Sequence, residues 1–347
     1  MSSADRLTIR RPDDWHLHFR DGDIMRAVVP YTARQFARAI VMPNLTPPVT
    51  TTALGAAYRD RIRAAVPAGV HFEPLMTCYL TDSTDADDLA RGAATGVFTA
   101  AKMYPANATT NSAAGVSNIE NLYPVLARME AEDIVLCIHG EVTDHNIDVF
   151  DREKEFIERH LRAIVAVFPK LRVVFEHITT SDAVDFVLEA GPQVAATITP
   201  QHLHINRNAM LVGGIQPHNY CLPVAKREEH RLALRRAATS GSPKFFLGTD
   251  SAPHLRSAKE SACGCAGIFG APFALESYAT VFDEEGALDQ FEGFASLHGP
   301  AFYKLPVNED EVTLERAEVA VPPVLHVTGE EIVPWHGGQV LGWRFLG

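Results

Sequence analysis

Residues 134–177 read IVLCIHGEVTDHNIDVFDREKEFIERHLRAIVAVFPKLRVVFEH. The stretch opens with an apolar, β-branched run, Ile134 to His139. An amphipathic segment follows from Glu153 to Phe168, and a second β-branched run, Arg172 to His177, closes it. Strand, helix, strand in this order predicts a right-handed βαβ unit, in which the two strands lie parallel and the helix covers one face. Both runs end on a histidine, and in parallel sheets closed into barrels the carboxyl ends of the strands carry the chemistry.

The same alternation extends in both directions. Further strand-like runs are Trp15 to Phe19, Ala39 to Met42, Phe72 to Tyr79 and Val97 to Met103 on the amino-terminal side. Val194 to Thr199 and Lys244 to Thr249 follow on the other. Thr52 to Val66, Ile119 to Glu132 and Lys226 to Ala238 are helical segments between them. Eight such strands predict an α/β fold, a closed (β/α)8 TIM barrel. An open doubly wound sheet is the alternative, disfavoured because no Gly-x-Gly-x-x-Gly turn follows the first strand. The 347 residues are read as one barrel domain with a C-terminal extension from about residue 304, since α/β barrels run long as single domains. Tyr104 to Ser117 and His204 to Pro223 are longer than connections need to be and are expected to be functional.

Composition narrows the function. A formal net charge of -12 disfavours a nucleic-acid surface, which needs clustered Lys and Arg. No run approaches the ~20 apolar residues that span a bilayer, and MSSADRLTIRRPDDW carries no leader-like apolar stretch. The five cysteines are scattered apart from the pair Cys263 and Cys265, so no disulfide framework is expected. A reducing cytoplasm fits.

Chemistry-bearing residues gather at the strand ends. His16 and His18 are two apart, so a strand points both imidazoles to one face. Lys102, His139, His177 and Asp250 end or follow four other strands. Each has a plain reading: a hydrogen-bonded structural histidine, a helix cap for Asp250, a snorkelling chain for Lys102. Six such groups from five strands of one barrel favour a metal centre instead. Imidazole and carboxylate suit divalent zinc. A desolvated lysine amine can add CO2 and become a bridging carbamate.

The strings DWHLHFRDG (14–22), MPNLTPP (42–48), AKMYPANATTNS (101–112), CIHGE (137–141), FEHI (175–178) and GTDSAPH (248–254) together resemble the dihydroorotase family of the amidohydrolase superfamily, in its compact single-function bacterial form. The resemblance runs from about Arg11 to about Tyr303. It implies a hydrolase of cyclic amides that interconverts N-carbamoyl-L-aspartate and L-dihydroorotate in pyrimidine (UMP) biosynthesis, in a cytoplasmic homodimer. It implies two Zn2+ ions per subunit, one on His16, His18 and Asp250, the other on His139 and His177, bridged by carboxylated Lys102 and a hydroxide. Asp250 would also be the catalytic acid–base group. Arg20 would pair with the substrate carboxylate, with Asn44 and His254 beside it. The backbones of Leu222 and Ala266 would meet the ring edge, and Thr109 and Thr110 would close over the ligand. His18 and His139 would border the substrate as well as bind metal. A hydantoinase- or allantoinase-like enzyme, a phosphotriesterase-like hydrolase and a non-catalytic scaffold on the same barrel are the competing readings. The carboxylate clamp argues against the first two, and the complete ligand set against the third.

Overall fold

Consecutive residues of the central strands bury into different cores, and this alternation defines the architecture. The computed structural model describes residues 5–327 and 329–347; the first four residues of the N-terminal stretch read above, and residue 328, lie outside the described residues. Eight parallel strands form one sheet in chain order: β2 (Asp13–Leu17), β3 (Arg38–Val41), β4 (Glu73–Tyr79), β5 (Phe98–Met103), β6 (Val135–Ile138), β7 (Val173–Phe175), β8 (Val194–Ile198) and β9 (Phe245–Leu247). Ala101, Leu136, Phe175, Ala196 and Leu247 join the large core shared with the surrounding helices. Their neighbours Ala100, Val135, Val174, Ala195 and Phe246 form a separate apolar cluster with Trp15 and Tyr303. Side chains two apart share a face, so this second cluster fills the inside of the barrel.

The ring closes between β2 and β9. Asp250 N–H donates to His16 O (2.8 Å), His18 N–H donates to Ser251 O (2.9 Å), and Leu17 bridges Ser251. Asp14 completes the seam: its carboxylate accepts from Thr249 N (2.9 Å) and Thr249 Oγ1 (2.6 Å). Burial raises the Asp14 carboxyl to about 6, opposed by those bonds. The expected barrel is therefore found, with all eight strands where the sequence places them and ends shifted by a few residues. The first begins two residues early, at Asp13, because the Asp13 carboxylate receives Arg38 from β3 (2.6 Å) at the start of the pairing.

Connections follow local chemistry. Thr51 caps the helix Thr52–Ala65 by accepting from Leu54 N–H (3.3 Å), and Thr180 caps Ser181–Glu189 in the same manner through Ala183 N–H (3.1 Å). Such caps satisfy otherwise orphaned helix amides. The segment expected as a helix over 153–168 is one continuous helix over 152–167 with a wider turn at Ile157–Leu161.

The tail is more regular than its Pro and Gly content suggests. β10 (Glu311–Ala320) lies between β1 (Arg6–Arg10) and β13 (Val340–Phe345) in an antiparallel sheet, and β11 (Leu325–Val327) pairs with β12 (Glu330–Ile332). Its alternating pattern buries Val312, Leu314, Leu341 and Trp343 on one face. That face meets the helix Ala274–Glu284, whose Glu276 accepts from Phe345 N–H (3.4 Å). Among the described residues no helix is long and apolar enough to cross a membrane, and all five cysteines are free thiols.

Candidate metal centre and substrate pocket

The inward register that fills the barrel continues, at its carboxyl end, into polar residues. Two residues past Ala100 stands Lys102, past Cys137 stands His139, and past Val174 stands Glu176. His16, Lys102, His139, Glu176 and His177 are all at most 2% exposed. His177 and Asp250 follow their strands in left-handed backbone, with φ of 43° and 47°, as does Arg20 with φ of 63°. Non-glycine residues in this region carry strain, which concentrates at functional sites. For His177 the turn has a clear use, because plain alternation after Glu176 would point the imidazole out of the barrel. The turn is anchored from below by Glu153, which accepts from Thr179 N–H (2.9 Å), Thr179 Oγ1 (2.8 Å) and Thr180 Oγ1 (2.5 Å). Gly248 lies against the same wall: a Cβ there would stand 2.7 Å from Thr197 Cβ and 3.2 Å from His16 Cβ. Only glycine lets β8, β9 and β2 converge this closely.

Two groups of metal-competent donors result, and they share His16. In the first, Asp250 Oδ1 lies 3.4 Å from His16 Nε2 and 3.2 Å from His18 Nε2. In the second, His16, Glu176 and His177 bring their donor atoms within 4.8 Å of one another. Burial pushes the imidazoles of His16 and His139 down, His18 to about 4, and His177 well below its ordinary value. They are thus neutral, the form that ligates a cation. Burial opposes ionisation of Asp250, but hydrogen bonds from His16 and His18 hold its carboxylate well below the usual range. The Nδ1 atom of His177 is buried with no hydrogen-bond partner among the described residues, an arrangement that costs free energy unless something is bound there. The donor set fits a pair of adjacent divalent cations.

Four of the sequence-predicted ligands, His16, His18, His177 and Asp250, stand in these groups with Glu176 as an addition, and Lys102 and His139 lie beside them. Lys102 is fully buried and its ammonium touches Glu176 Oε2, while Glu176 Oε1 lies 3.0 Å from His16 Nδ1. Burial pulls Lys102 down to about 7. His139 packs against His177, ring centroids 4.9 Å apart, and its Nε2 lies 2.8 Å from Glu141 Oε2. Glu176, Glu141, Asp14 and Glu153 were not singled out from the sequence. Period-two counting places Glu176 two past the inward Val174, Asp14 two before His16 and Glu141 two past His139; nothing local marks Glu153.

Over the donors lies a small pocket lined by His16, His18, Arg20, Asn44, Tyr104, Thr109, Thr110, His139, His177, Leu222, Asp250, Ala252, Ala266 and Gly267. Nearly every expected substrate residue borders it. Arg20 Nη2 lies 2.9 Å from His254 Nε2, and Arg20 Nε donates to Pro253 O (3.2 Å). Burial, then the Arg20 charge, pushes His254 down to about 3, so it is a neutral acceptor for the guanidinium. Asn44 lines the same pocket with partners of its own: its Oδ1 lies 2.8 Å from His18 Nδ1 and its Nδ2 donates to Thr110 O (2.9 Å). Thr110 Oγ1 donates to Ala266 O (3.2 Å), which also lies 3.0 Å from His254 Nε2, so the loop carrying Thr109 and Thr110 reaches across the mouth.

Residues 13–309 match the amidohydrolase family. A dihydroorotase of Erythrobacter litoralis is 74% identical over 341 residues, covering 98% of this chain and 99% of its own. The crystal structure of Saccharomyces cerevisiae dihydroorotase in complex with 5-fluoroorotic acid superposes with a TM-score of 0.91 at 32% identity, over 99% of this chain and 98% of that one. An L-hydantoinase of Arthrobacter aurescens shares the fold at 17% identity, with a TM-score of 0.80 over 97% of this chain and 82% of that one. With a barrel closed over neutral imidazoles and a buried acid, and with this degree of likeness along nearly its whole length, the chain belongs to the dihydroorotases of the amidohydrolase family.

Proposed function

We propose that the chain catalyses the reversible cyclisation of N-carbamoyl-L-aspartate to L-dihydroorotate in pyrimidine (UMP) biosynthesis. The observation that carries this choice of substrate is Arg20. Its guanidinium faces the cavity beside the donor cluster, and no carboxylate of the described residues lies within salt-bridge distance of it. A substrate carboxylate satisfies such a group by bidentate pairing; a neutral hydantoin does not.

In this reading His16, His18 and Asp250 would hold one Zn2+ and His139 and His177 the other, and carboxylated Lys102 would be their shared anionic ligand. When bound, the metals supply Lewis-acid polarisation of the scissile carbonyl and an activated water. Asp250 takes up the proton of the attacking water and delivers it to the departing ring nitrogen; ring closure reverses both transfers. Arg20 holds the substrate carboxylate with Asn44 and His254 near it, the backbones of Leu222 and Ala266 meet the ring edge, and Thr109 and Thr110 exclude water from above. Lys102 takes its carboxyl group when the amine lone pair attacks CO2 and a proton leaves. The depressed lysine, at about 7, supports this, because the neutral amine is accessible near neutral pH. The balance of charge supports it too, since a pair of divalent cations calls for more anionic partners than Asp250.

A second reading of the bridge rests on Glu176, which stands in the second donor group. Metal content separates the two. With carboxylated Lys102 as the bridge, Lys102→Met holds fewer than two metals and Glu176→Gln keeps both; with Glu176 as the bridge the outcome is reversed. The proposal includes a cytoplasmic homodimer, on family resemblance alone, and one barrel unit with an extension from about residue 304; the pairing of β1 with β10 supports the single unit. Assay of the purified protein with dihydroorotate, carbamoyl aspartate and an unsubstituted hydantoin, alongside elemental analysis, tests the function. Turnover of the hydantoin with none of the acids would reject it.

A further inference from the structure

Lys259 is a buried lysine that the reaction does not use: it is 4% exposed, lies outside the metal cluster, and makes no ion pair with any described carboxylate. Its ammonium donates to three backbone carbonyls, Tyr220 O (2.8 Å), Cys265 O (2.8 Å) and Gly267 O (2.9 Å). An ammonium has three protons, and all three are used. The carbonyls come from two chain segments far apart in sequence. One, Tyr220, lies two residues before Leu222; the others flank Ala266 on both sides. The same segments are tied once more by Gly267 N–H donating to Tyr220 O (3.1 Å). Gly267 takes φ of 148°, and a Cβ there would stand 2.9 Å from Ala252 O, so the backbone is pressed against the loop after β9. Leu222 and Ala266 both line the cavity over the metal donors, and neither offers side-chain chemistry.

We propose that Lys259 is a positioning residue for substrate recognition: it clamps the backbones around Leu222 and Ala266 in the register that reads the polar edge of the ring. The inference rests on the dihydroorotase reading above. A backbone recognises a cyclic ureide only if its N–H and C=O groups stay fixed, and loop backbone without a strand ladder needs another source of rigidity. Charge-assisted bonds are about twice as strong as neutral ones, and a three-way bond made by one buried cation supplies that rigidity without a side chain entering the pocket. Ala266 O also receives Thr110 Oγ1 and lies beside His254 Nε2, so the clamp sets the height at which the mouth loop lands.

The test uses the metal-loaded full chain. Lys259→Met keeps the length and loses all three donors. Its two-metal content is expected to match the wild type, with KM for dihydroorotate and Kd for 5-fluoroorotic acid both raised about tenfold or more, and kcat reduced less, because small misplacements of positioning groups are costly. KM and Kd within twofold of wild type in the folded, metal-replete variant would overturn the proposal. Should Lys259→Met not fold, Lys259→Gln, which keeps a donor, carries the same measurements with a smaller expected rise. Failure of both to fold would overturn the positioning role in favour of a purely structural one. The wild type run alongside separates the two levels: without turnover there, the assigned reaction fails, whereas turnover there with unchanged binding in the variant rejects Lys259 alone.

Discussion

Arg20 stands where the chain leaves β2 in left-handed backbone, and its guanidinium is held by a histidine and a carbonyl rather than an acid. Arg20→Met is expected to abolish useful turnover while both metals stay bound, since losing the charged partner of a desolvated carboxylate costs about 2–5 kcal/mol. Elemental analysis and steady-state rates check this, and near-normal turnover would point to a neutral ring as substrate. Asp250 is expected to serve both directions of the reaction. Asp250→Asn is expected to keep the fold, because the bond across the seam between β2 and β9 is made by the backbone N–H of this residue to His16 O, yet its two rates fall together; loss in one direction alone would contradict a single acid–base group. For Lys102, metal stripping followed by zinc return with and without CO2 is the informative experiment. Recovery without CO2 is expected to be slow or incomplete, and undiminished recovery would remove the carbamate from the site.

At the level of elements, the segment 105–115 is a long connection held mostly by its own backbone. Asn107 N–H donates to Ser112 O (3.0 Å), Ala106 N–H to Val116 O (2.9 Å), and Thr109 N–H to Ser112 Oγ (2.9 Å). Its links to the rest of the mouth are few: Thr110 with Ala266 and Asn44, Asn111 with Asn44 and Tyr79. Few apolar anchors and exposed backbone bonds mark a segment of low local stability. Hydrogen exchange across it is expected to slow when 5-fluoroorotic acid binds, as for lids that complete a site. Equal protection with and without the acid would remove that role. The sequence identified this segment and the strands it joins, because periodicity and composition are local signals. It did not reveal the sheet of β1, β10 and β13, because β1 lies some three hundred residues from its partner β10 in the chain.

Across the whole molecule, the tail sheet is joined to the barrel through Glu276, a carboxyl buried between the helix Ala274–Glu284 and β13. Gln35 Nε2 also donates to it (3.2 Å). Burial raises Glu276 from 4.5 to about 7, only partly offset by the nearby Arg34. The folded protein therefore holds this proton more tightly than the unfolded chain does. The stability linked to it is complete below the unfolded value near 4.5 and is lost as pH rises through about 7. Glu276→Gln, which carries no charge at any pH, is expected to match the wild type near pH 4 and to exceed it by about 1–3 kcal/mol near pH 8. Denaturant unfolding at the two pH values checks this, and a difference independent of pH would show that Glu276 does not titrate in this range.

From sequence alone came the eight strands, their parallel order, and the six metal-ligand candidates, including the pairing of His16 with His18 on one face. These follow from side-chain period and from residue type at strand ends, both of which are properties of short segments. Only the tertiary structure selected Glu153 and Lys259. Each is an unremarkable charged residue in the string, and each matters because folding takes it out of water and obliges it to find partners from distant segments. Asn44 shows the same division. Its place beside the site was legible, but its bonds to His18 and to Thr110 were decided by how the loops after β3 and β5 meet over the barrel. Residue types determine what chemistry is available, whereas burial and the convergence of strand ends determine which groups lose water together and so act as one site.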